Sequence, residues 1–352
     1  MKQISCSLSY VPELDGLRGA AIAAVVLYHF GFLRGGYIGV DVFFGLSGFL
    51  ITTLLLKEHL ATRRINLLSF YKRRMLRLFP ALCALVVAAA LYERLYAACP
   101  MGMTFLNRTY YALTYYSNWL AALGKLENLM CSFYGLWSLA IEEQFYLMWP
   151  PILAFLLARR ASPKPIAIFL SVGLIASLCL RLYLWHSGAP PNRISFGSDT
   201  HADPILLGCL TAWATFYLPS DFWEKQRRLI SVAAPFAMAA LALFMIRLDS
   251  TPETIYSVLF TCFGILTTTI IVGVTVVPIQ IVKTFLRAPG LVYLGKISYG
   301  LYLWHTAAGT YFEAHFPRAP LLLRLLVIGA LTLFSYYFVE RPFLALKDKR
   351  KI

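Results

Sequence analysis

Charged residues are scarce in this 352-residue chain, and their scarcity excludes an ordinary soluble domain. Only 14% of the residues are charged, whereas 59% are hydrophobic and the mean hydropathy is +0.66. Soluble domains carry about 25% charged residues. The apolar residues recur in windows of about 20, the length that a membrane-spanning helix needs. We therefore predict an all-α fold, a polytopic membrane helix bundle.

Acidic residues are the scarcer of the two charged classes, with 17 Asp and Glu against 32 Lys and Arg. The net charge of +15 does not indicate a nucleic-acid partner, because the basic residues form short clusters between apolar segments, as on the cytoplasmic side of membrane proteins. The seven cysteines lack metal-type spacing, so we expect no metal. No cleavable signal peptide is evident before the first apolar segment.

Ten membrane spans are predicted from the apolar windows. They lie at 14–33, 37–57, 75–96, 137–158, 164–186, 203–219, 228–248, 254–277, 291–312 and 320–343. In this arrangement the basic clusters all fall on one side, which the positive-inside rule makes cytoplasmic together with both termini. We expect residues 1–352 to form a single integral domain in a bacterial cytoplasmic (inner) membrane, in contact with membrane lipids.

The outer loop 97–136 contains an ambiguous aromatic segment, 104–123. If this segment crossed the membrane, every later basic cluster would lie outside, so we interpret it as an interfacial segment. A re-entrant segment is the alternative. Cys99 and Cys131 in the same loop would face an oxidising compartment, so a disulfide that ties the interfacial segment down is a hypothesis, and whether the two are bonded is left open.

Polar residues inside the predicted spans fall into two layers. The inner layer contains Arg18, near the start of the first span, and Arg74 and Arg77, whose i, i+3 spacing points both guanidinium groups the same way. Such a pair suits a phosphate group, although positive-inside anchoring explains it equally well.

The outer layer contains histidines and carboxylates that would all lie at one depth. Its members are His29, Asp41, Glu142, Glu143, Asp199, Asp203 and His305. Ionisable groups within a membrane are costly and usually functional. This set suits an imidazole base with an orienting carboxylate, whereas a structural helix contact is the alternative for any single member. Gly45 and Gly48 lie on either side of Ser47 and would let a ligand approach the backbone, where Ser47 could donate a hydrogen bond in mid-membrane. The alternative is that these glycines serve close helix packing alone.

These motifs together resemble the acyltransferase family 3 membrane proteins, which O-acylate extracytoplasmic glycans, and the resemblance runs essentially end to end. Arg18 is followed after ten residues by His29, and Arg74 and Arg77 form an Arg-x-x-Arg pair. Further matches are 39-GVDVFFGLSGFLI-51, 137-WSLAIEEQFYLMWP-150, 297-ISYGLYLWH-305 and 340-ERPF-343.

The resemblance implies transfer of an acyl group, most simply acetyl, from cytoplasmic acyl-coenzyme A to a glycan or glycolipid hydroxyl. It matches Arg18 and His29 to essential residues, Arg74 and Arg77 to a second arginine pair, and Glu142 to an acidic position. Some family members carry an added extracytoplasmic hydrolase-like domain, and the sequence to Ile352 contains none, so we expect that any step of that domain is absent or supplied by a partner.

The preferred mechanism has His29 as general base and Glu142 as its orienting carboxylate. Ser47 or Tyr302 is a candidate donor to the oxyanion. No cofactor is expected to stay bound, and acyl-coenzyme A is a substrate. A variant mechanism acylates His29 first. The rival function is a proton-coupled transporter or flippase of an anionic or sugar substrate, although the sequence shows no inverted repeat.

Overall fold

In the computed structural model, residues 10–96, 104–125, 133, 135–159, 162–249, 251 and 258–348 are described. These residues form fifteen α-helices and no strand, which confirms the predicted all-α class.

The helices follow one another along the chain with short connections. They are α1 (Pro12–His29), α2 (Gly39–Thr62), α3 (Leu67–Tyr96), α4 (Phe105–Leu113), α5 (Ser117–Ala122), α6 (Leu136–Ala158), α7 (Lys164–His186), α8 (Pro191–Phe196), α9 (Asp203–Tyr217), α10 (Ser220–Arg247), α11 (Leu259–Thr275), α12 (Gln280–Leu286), α13 (Pro289–His315), α14 (Leu321–Phe334) and α15 (Arg341–Asp348). A 3₁₀ turn, Gly36–Ile38, precedes α2, and a π-helical segment, Ser335–Glu340, joins α14 to α15.

Every predicted span coincides with a helix in the part of the chain that is described. Five helices are long and apolar enough to cross a membrane, namely Gly36–Thr62, Leu67–Leu95, Lys164–His186, Ser220–Arg247 and Leu321–Leu346. A sixth candidate is the pair α11 and α12, which is bent by 100°. Helices α1 and α9, which also coincide with predicted spans, differ from these five helices in their charge or their length. Helix α1 carries Glu13, Asp15 and Arg18 within 18 residues, and α9 has only 15 residues.

The segment 104–123 forms two short helices instead of one long one. Helix α4 has nine residues and α5 has six, and either is far shorter than the roughly 20 residues that a span requires. Arg108 of α4 is buried and makes a bidentate contact with the Glu93 carboxylate of α3 at 2.5 Å. This ion pair holds α4 against α3. The interfacial position of the segment remains a prediction.

The chain divides into two compact units, and the division falls inside α6 and α13. The first unit takes the chain as far as Ile65 together with Phe145–Lys296. Helix α2 is its central element, since 78% of its apolar window is buried, against 22% for α7 and 17% for α10. Its core is built from aliphatic and aromatic side chains of α1, α2, α9, α10 and α11, such as Leu46, Phe49 and Phe263.

Close backbone contact defines the pairing of α2 with α9 in this unit. A Cβ atom on Gly48 would lie 2.0 Å from the Ile205 carbonyl oxygen, and one on Gly208 would lie 2.2 Å from the Gly45 carbonyl oxygen. No L-side chain fits at these distances, so glycine lets the two helices approach until their backbones touch. The glycines noted in the sequence therefore serve helix packing.

The second unit comprises Asn66–Gln144 and the chain from Ile297 onward. Its core joins α3, α4 and α5 to the first part of α6 and the middle of α13. The buried side chains include Leu82, Leu85, Phe133, Leu136 and Leu303.

Candidate active site

His29 is the last residue of α1, and its side chain is exposed. Its Nδ1 lies 2.9 Å from the carbonyl oxygen of Val25, one turn earlier. A carbonyl oxygen only accepts hydrogen bonds, so Nδ1 carries the proton of the neutral ring and Nε2 carries the basic lone pair. The helix thus presents the nitrogen that a general base needs.

Arg18 belongs to the same helix, which is continuous between the two residues. Eleven residues of α-helix separate them by ~16 Å along the axis and return them to nearly the same face. The Arg18 guanidinium is half-buried, with its carbon 5.8 Å from the centre of the Phe43 ring on α2. This cation–π contact orients the guanidinium against the first unit.

Ser47 lies on α2, and its hydroxyl is 2.9 Å from the hydroxyl of Tyr146 on α6. Each hydroxyl can donate or accept, so either one supplies the proton of the hydrogen bond that they share. Tyr146 lies within the 137–150 motif on α6, but no spacing in that motif singles it out.

Asp41 is 1% exposed and lies deep in the first unit. Its Oδ1 is 2.9 Å from Nε2 of His201, whose Nδ1 is 2.7 Å from the carbonyl oxygen of Ser195. The His201 ring stacks on Phe260 with centroids 3.7 Å apart. Asp41 is therefore engaged by an internal partner, and a part in the reaction would act through His201.

Asp203 is fully buried in the same unit and accepts hydrogen bonds from three side chains. Arg181 Nη2 donates at 2.7 Å, Ser177 at 2.7 Å, and Thr261 donates as well. Arg181 also donates to the carbonyl oxygen of Thr200 at 2.8 Å. This saturated ion pair fixes the start of α9 against α7 and α11.

Asp199 lies nearer the surface than the other two aspartates of the first unit. It forms a bidentate pair with Arg193, with N–O distances of 2.8 and 2.5 Å. The pair closes the turn between α8 and α9. Of the first unit's predicted carboxylates, it is the one accessible from outside.

Arg74 and Arg77 are half-buried on α3 in the second unit. Arg74 interacts electrostatically with Glu143 of α6, and Arg77 interacts with Glu340 of the π-helical segment. Each arginine of the pair thus has a carboxylate in its surroundings. Both remain capable of binding phosphate, because a guanidinium has five N–H donors.

Glu142 and Glu143 are adjacent half-buried residues near the start of α6. Glu143 Oε1 is buried and has no hydrogen-bond partner in the described part of the chain. The next residue, Gln144, donates to Asn118 and to the carbonyl oxygen of Tyr115, at 2.8 and 2.7 Å. Burial raises the pKa of Tyr115 above its ordinary value, and the Glu143 carboxylate raises it further.

Tyr302 and His305 lie one turn apart on α13. The Tyr302 hydroxyl donates to the Gly135 carbonyl oxygen at 3.0 Å and lies 2.5 Å from the hydroxyl of Ser138. His305 is buried, and its Nδ1 lies 3.0 Å from the Leu301 carbonyl oxygen. It repeats the geometry of His29, so its basic nitrogen is also Nε2.

The predicted site residues are thus distributed over both units. Arg18, His29, Asp41, Ser47, Asp199 and Asp203 belong to the first, and Arg74, Arg77, Glu142, Glu143, Tyr302 and His305 belong to the second. Their assembly into one site stays a prediction. Cys99 and Cys131 lie outside the described residues. Within the described ranges, no cluster of His, Cys, Asp or Glu could hold a metal ion.

Sequence reasoning missed two buried partners of the predicted residues. His201 is the partner of Asp41, and Glu340 lies beside Arg77. Glu340 was visible in the ERPF motif near the end of the chain. His201 lies only two residues from Asp203, but nothing in the sequence pairs it with a residue 160 positions earlier.

Comparisons with known proteins agree with the predicted family. A family model described as an acyltransferase domain matches residues 11–340. The O-acetyltransferase OatA of Staphylococcus aureus strain NCTC 8325 is 33% identical over 347 residues, covering 95% of this chain and 57% of the relative. A second relative from Staphylococcus aureus strain COL, named "Putative O-acetyltransferase SACOL0978", is 35% identical over 351 residues, covering 96% of this chain and 58% of its own length.

This chain therefore spans little more than half the length of the curated relatives that it matches. No solved structure matches it significantly. The family model covers nearly the whole sequence, and the identity to both relatives extends over almost all of it. The chain belongs to the acyltransferase family, as its motifs predicted.

Proposed function

We propose that this protein transfers an acyl group, most simply acetyl, from acyl-coenzyme A to a hydroxyl group of an extracytoplasmic glycan or glycolipid. The observation that carries the proposal is the geometry of His29. Its exposed ring stands at the end of α1 with Nδ1 against the Val25 carbonyl oxygen, which leaves Nε2 as the base. Both relatives are named as O-acetyltransferases, one of them as a putative one, and a hydroxyl acceptor agrees with those names.

The donor's nucleotide end would bind to the inner arginines. Arg74 and Arg77 offer guanidinium forks suited to phosphate, and Arg18 lies on the helix that carries His29. The ~16 Å along α1 from Arg18 to His29 is of the order of an extended pantetheine arm. The thioester would then lie near the base while the nucleotide stays at the cytoplasmic face.

The proposed chemistry is direct transfer. His29 Nε2 takes the proton of the acceptor hydroxyl as its oxygen attacks the thioester carbonyl carbon. When the C–S bond breaks, the imidazolium returns that proton to the departing thiolate, so an ester and free coenzyme A are formed. Glu142 is the proposed orienting carboxylate, and the alternative in which His29 is acylated first keeps the same donor and acceptor.

Two hydroxyl groups are candidate donors to the oxyanion. Ser47 shares a hydrogen bond with Tyr146, and Tyr302 donates to the Gly135 carbonyl oxygen. Either hydroxyl would have to turn towards the oxyanion to donate to it, so we keep both as candidates.

The proposed setting is one membrane domain with ten spans and both termini in the cytoplasm, in a bacterial inner membrane. Helices α1, α6, α9 and α13 would be the spans that carry most of the polar site residues. Such residues lower the hydropathy of the helices that carry them.

The test uses the full chain in lipid nanodiscs with radiolabelled acetyl-coenzyme A, following both donor binding and release of free coenzyme A. We expect His29→Ala to bind the donor normally but to lose at least about a hundredfold in turnover. We expect Arg74→Ala/Arg77→Ala to lose donor binding. The matched controls are His186→Ala and Arg63→Ala/Arg64→Ala, which change exposed residues of the same types.

An equal effect of control and site variants would contradict the proposed roles. If no variant differs from the unmodified protein and no donor is consumed, acyl transfer fails and transport becomes the better hypothesis. A labelled acyl-protein trapped by rapid quenching, and absent from His29→Ala, would replace direct transfer by the two-step pathway.

A further inference from the structure

A cleft lies in the first unit between α9, α10 and α11, and none of the residues proposed for acyl transfer forms part of it. Its volume is about 340 Å³. The side chains that form it include Ala214, Leu218, Phe222, Trp223 and Gln226.

The walls of this cleft are apolar despite containing three threonines. Thr211 donates its hydroxyl proton to the Leu207 carbonyl oxygen at 2.8 Å. Thr268 and Thr269 likewise donate to carbonyl oxygens one turn earlier in α11, at 2.9 and 2.8 Å. With these donors used within their own helices, the walls offer an occupant mainly methyl groups and aliphatic surface. A hydrocarbon chain suits them better than a sugar or a nucleotide.

The residues that form the cleft include one amide side chain, Gln226, which is half-buried. A glutamine amide carries two N–H donors. An occupant with an ester or phosphate oxygen beside Gln226 would accept a hydrogen bond from that amide.

Positive charge flanks Gln226 on α10. Lys225 and Arg227 precede and follow Gln226, so on α10 they project about 100° to either side of it. Both are exposed, and Arg227 has a long contact, 3.5 Å, with the exposed Glu224. Basic side chains beside an apolar cleft between membrane helices complement an anionic headgroup with its acyl chain.

We propose that this cleft binds an anionic phospholipid. One acyl chain fills the space between Ala214 and Phe222, the phosphate lies between Lys225 and Arg227, and a lipid oxygen accepts a hydrogen bond from the Gln226 amide group. This inference does not depend on the proposed acyl transfer.

The test is native mass spectrometry of the full chain in detergent with phosphatidylglycerol or phosphatidylcholine of identical acyl chains. We expect one phosphatidylglycerol to be retained in preference to phosphatidylcholine. Lys225→Gln/Arg227→Gln should lower its retention about tenfold, because each basic group near a headgroup contributes measurably to binding. Ala214→Trp fills the cleft and should remove both lipids.

The matched controls are Arg63→Gln/Arg64→Gln, another exposed basic pair, and Leu243→Trp, an exposed position farther along α10. Neither should change retention, and each variant should elute and unfold like the unmodified protein. Equal retention of the two lipids overturns the proposal, as does an unaffected Lys225→Gln/Arg227→Gln variant, which changes only surface side chains and leaves the core intact. Co-purification of a polyprenyl lipid in the cleft instead of a phospholipid also overturns it.

Discussion

Three histidines show how local geometry assigns different chemistry to one residue type. His29 and His305 both place Nδ1 against the carbonyl oxygen one turn earlier, so their basic nitrogen is Nε2. His201 instead contacts acceptors on both sides, the Ser195 carbonyl oxygen and the Asp41 carboxylate. In the first arrangement Nε2 carries the lone pair of the neutral ring, whereas in the second a hydrogen atom lies between the ring and each of the two acceptors.

The proton between Asp41 and His201 leads to a prediction at this scale. Nδ1 must carry a hydrogen towards Ser195, so a second proton lies between Nε2 and Oδ1 of Asp41, whichever atom holds it. In Asp41→Asn the amide group can supply that hydrogen to a neutral ring. We expect Asp41→Asn to lower the free energy of unfolding by only about 1 kcal/mol, whereas Asp41→Leu should lower it by about 3–5 kcal/mol.

Thermal unfolding in detergent, followed by intrinsic fluorescence, measures the difference. Asp221→Asn on the exposed start of α10 is the control and should be neutral. If Asp41→Asn is as damaging as Asp41→Leu, the pair needs the negative charge itself, and the shared-proton interpretation is wrong.

At the scale of elements, backbone contact between helices explains where glycine is required. Glycines of α1 and α13 show the same close approach within the first unit as those of α2 and α9. A Cβ atom on Gly19 would lie 1.9 Å from the Leu291 carbonyl oxygen, and one on Gly295 would lie 1.8 Å from that of Asp15. These contacts fix the start of α1, from which Arg18 projects.

The contact between α2 and α9 gives the prediction for this scale. Gly48→Ala and Gly208→Ala each place a methyl group against a backbone carbonyl oxygen, which cannot move aside as a side-chain tip can. We expect each to destabilise the protein by about 1–3 kcal/mol. Together they should cost less than the sum, because one separation of the helices relieves both clashes.

The control is Gly329→Ala in α14, where nothing lies near an added Cβ atom. It should be neutral or raise stability by up to about 1 kcal/mol, since alanine favours helix over glycine. Thermal unfolding and the yield of monodisperse protein are the measurements. Tolerance of alanine at both Gly48 and Gly208 would show that the two backbones do not touch.

At the scale of the whole molecule, the membrane topology decides whether the acyl donor and the glycan acceptor reach the protein from opposite faces of the membrane. The proposed topology follows from the distribution of basic clusters. We expect a green fluorescent protein fused after Ile352 to fluoresce in bacteria, and alkaline phosphatase inserted after Gly188 to be active. Gly188 lies in the loop between α7 and α8, with φ of 73° and open space around it, so an insertion there should be tolerated.

The reverse fusions provide the check on sidedness. Phosphatase after Ile352 and fluorescent protein after Gly188 should both be inactive. An active phosphatase at the terminus would place the basic tail outside, and it would contradict a cytoplasmic site for the donor.

The sequence alone determined the helical class and the positions of all ten predicted spans on helices, because apolar windows and charge clusters are local signals. It also determined the family, through motifs whose order along the chain is itself the evidence. The identity of His29 as a candidate base needed no structure. Its spacing from Arg18 is a property of one continuous helix.

Only the tertiary structure decided what each polar residue touches. Asp41 and Asp203 belonged to a predicted substrate-side layer, yet both are buried against internal partners, His201 and Arg181. Such pairs form between residues far apart in the chain, and no periodicity encodes them. The tautomer of His29 likewise depends on a backbone carbonyl oxygen. The hydrogen-bond partners of an imidazole ring, and not its residue type, set which nitrogen carries the proton.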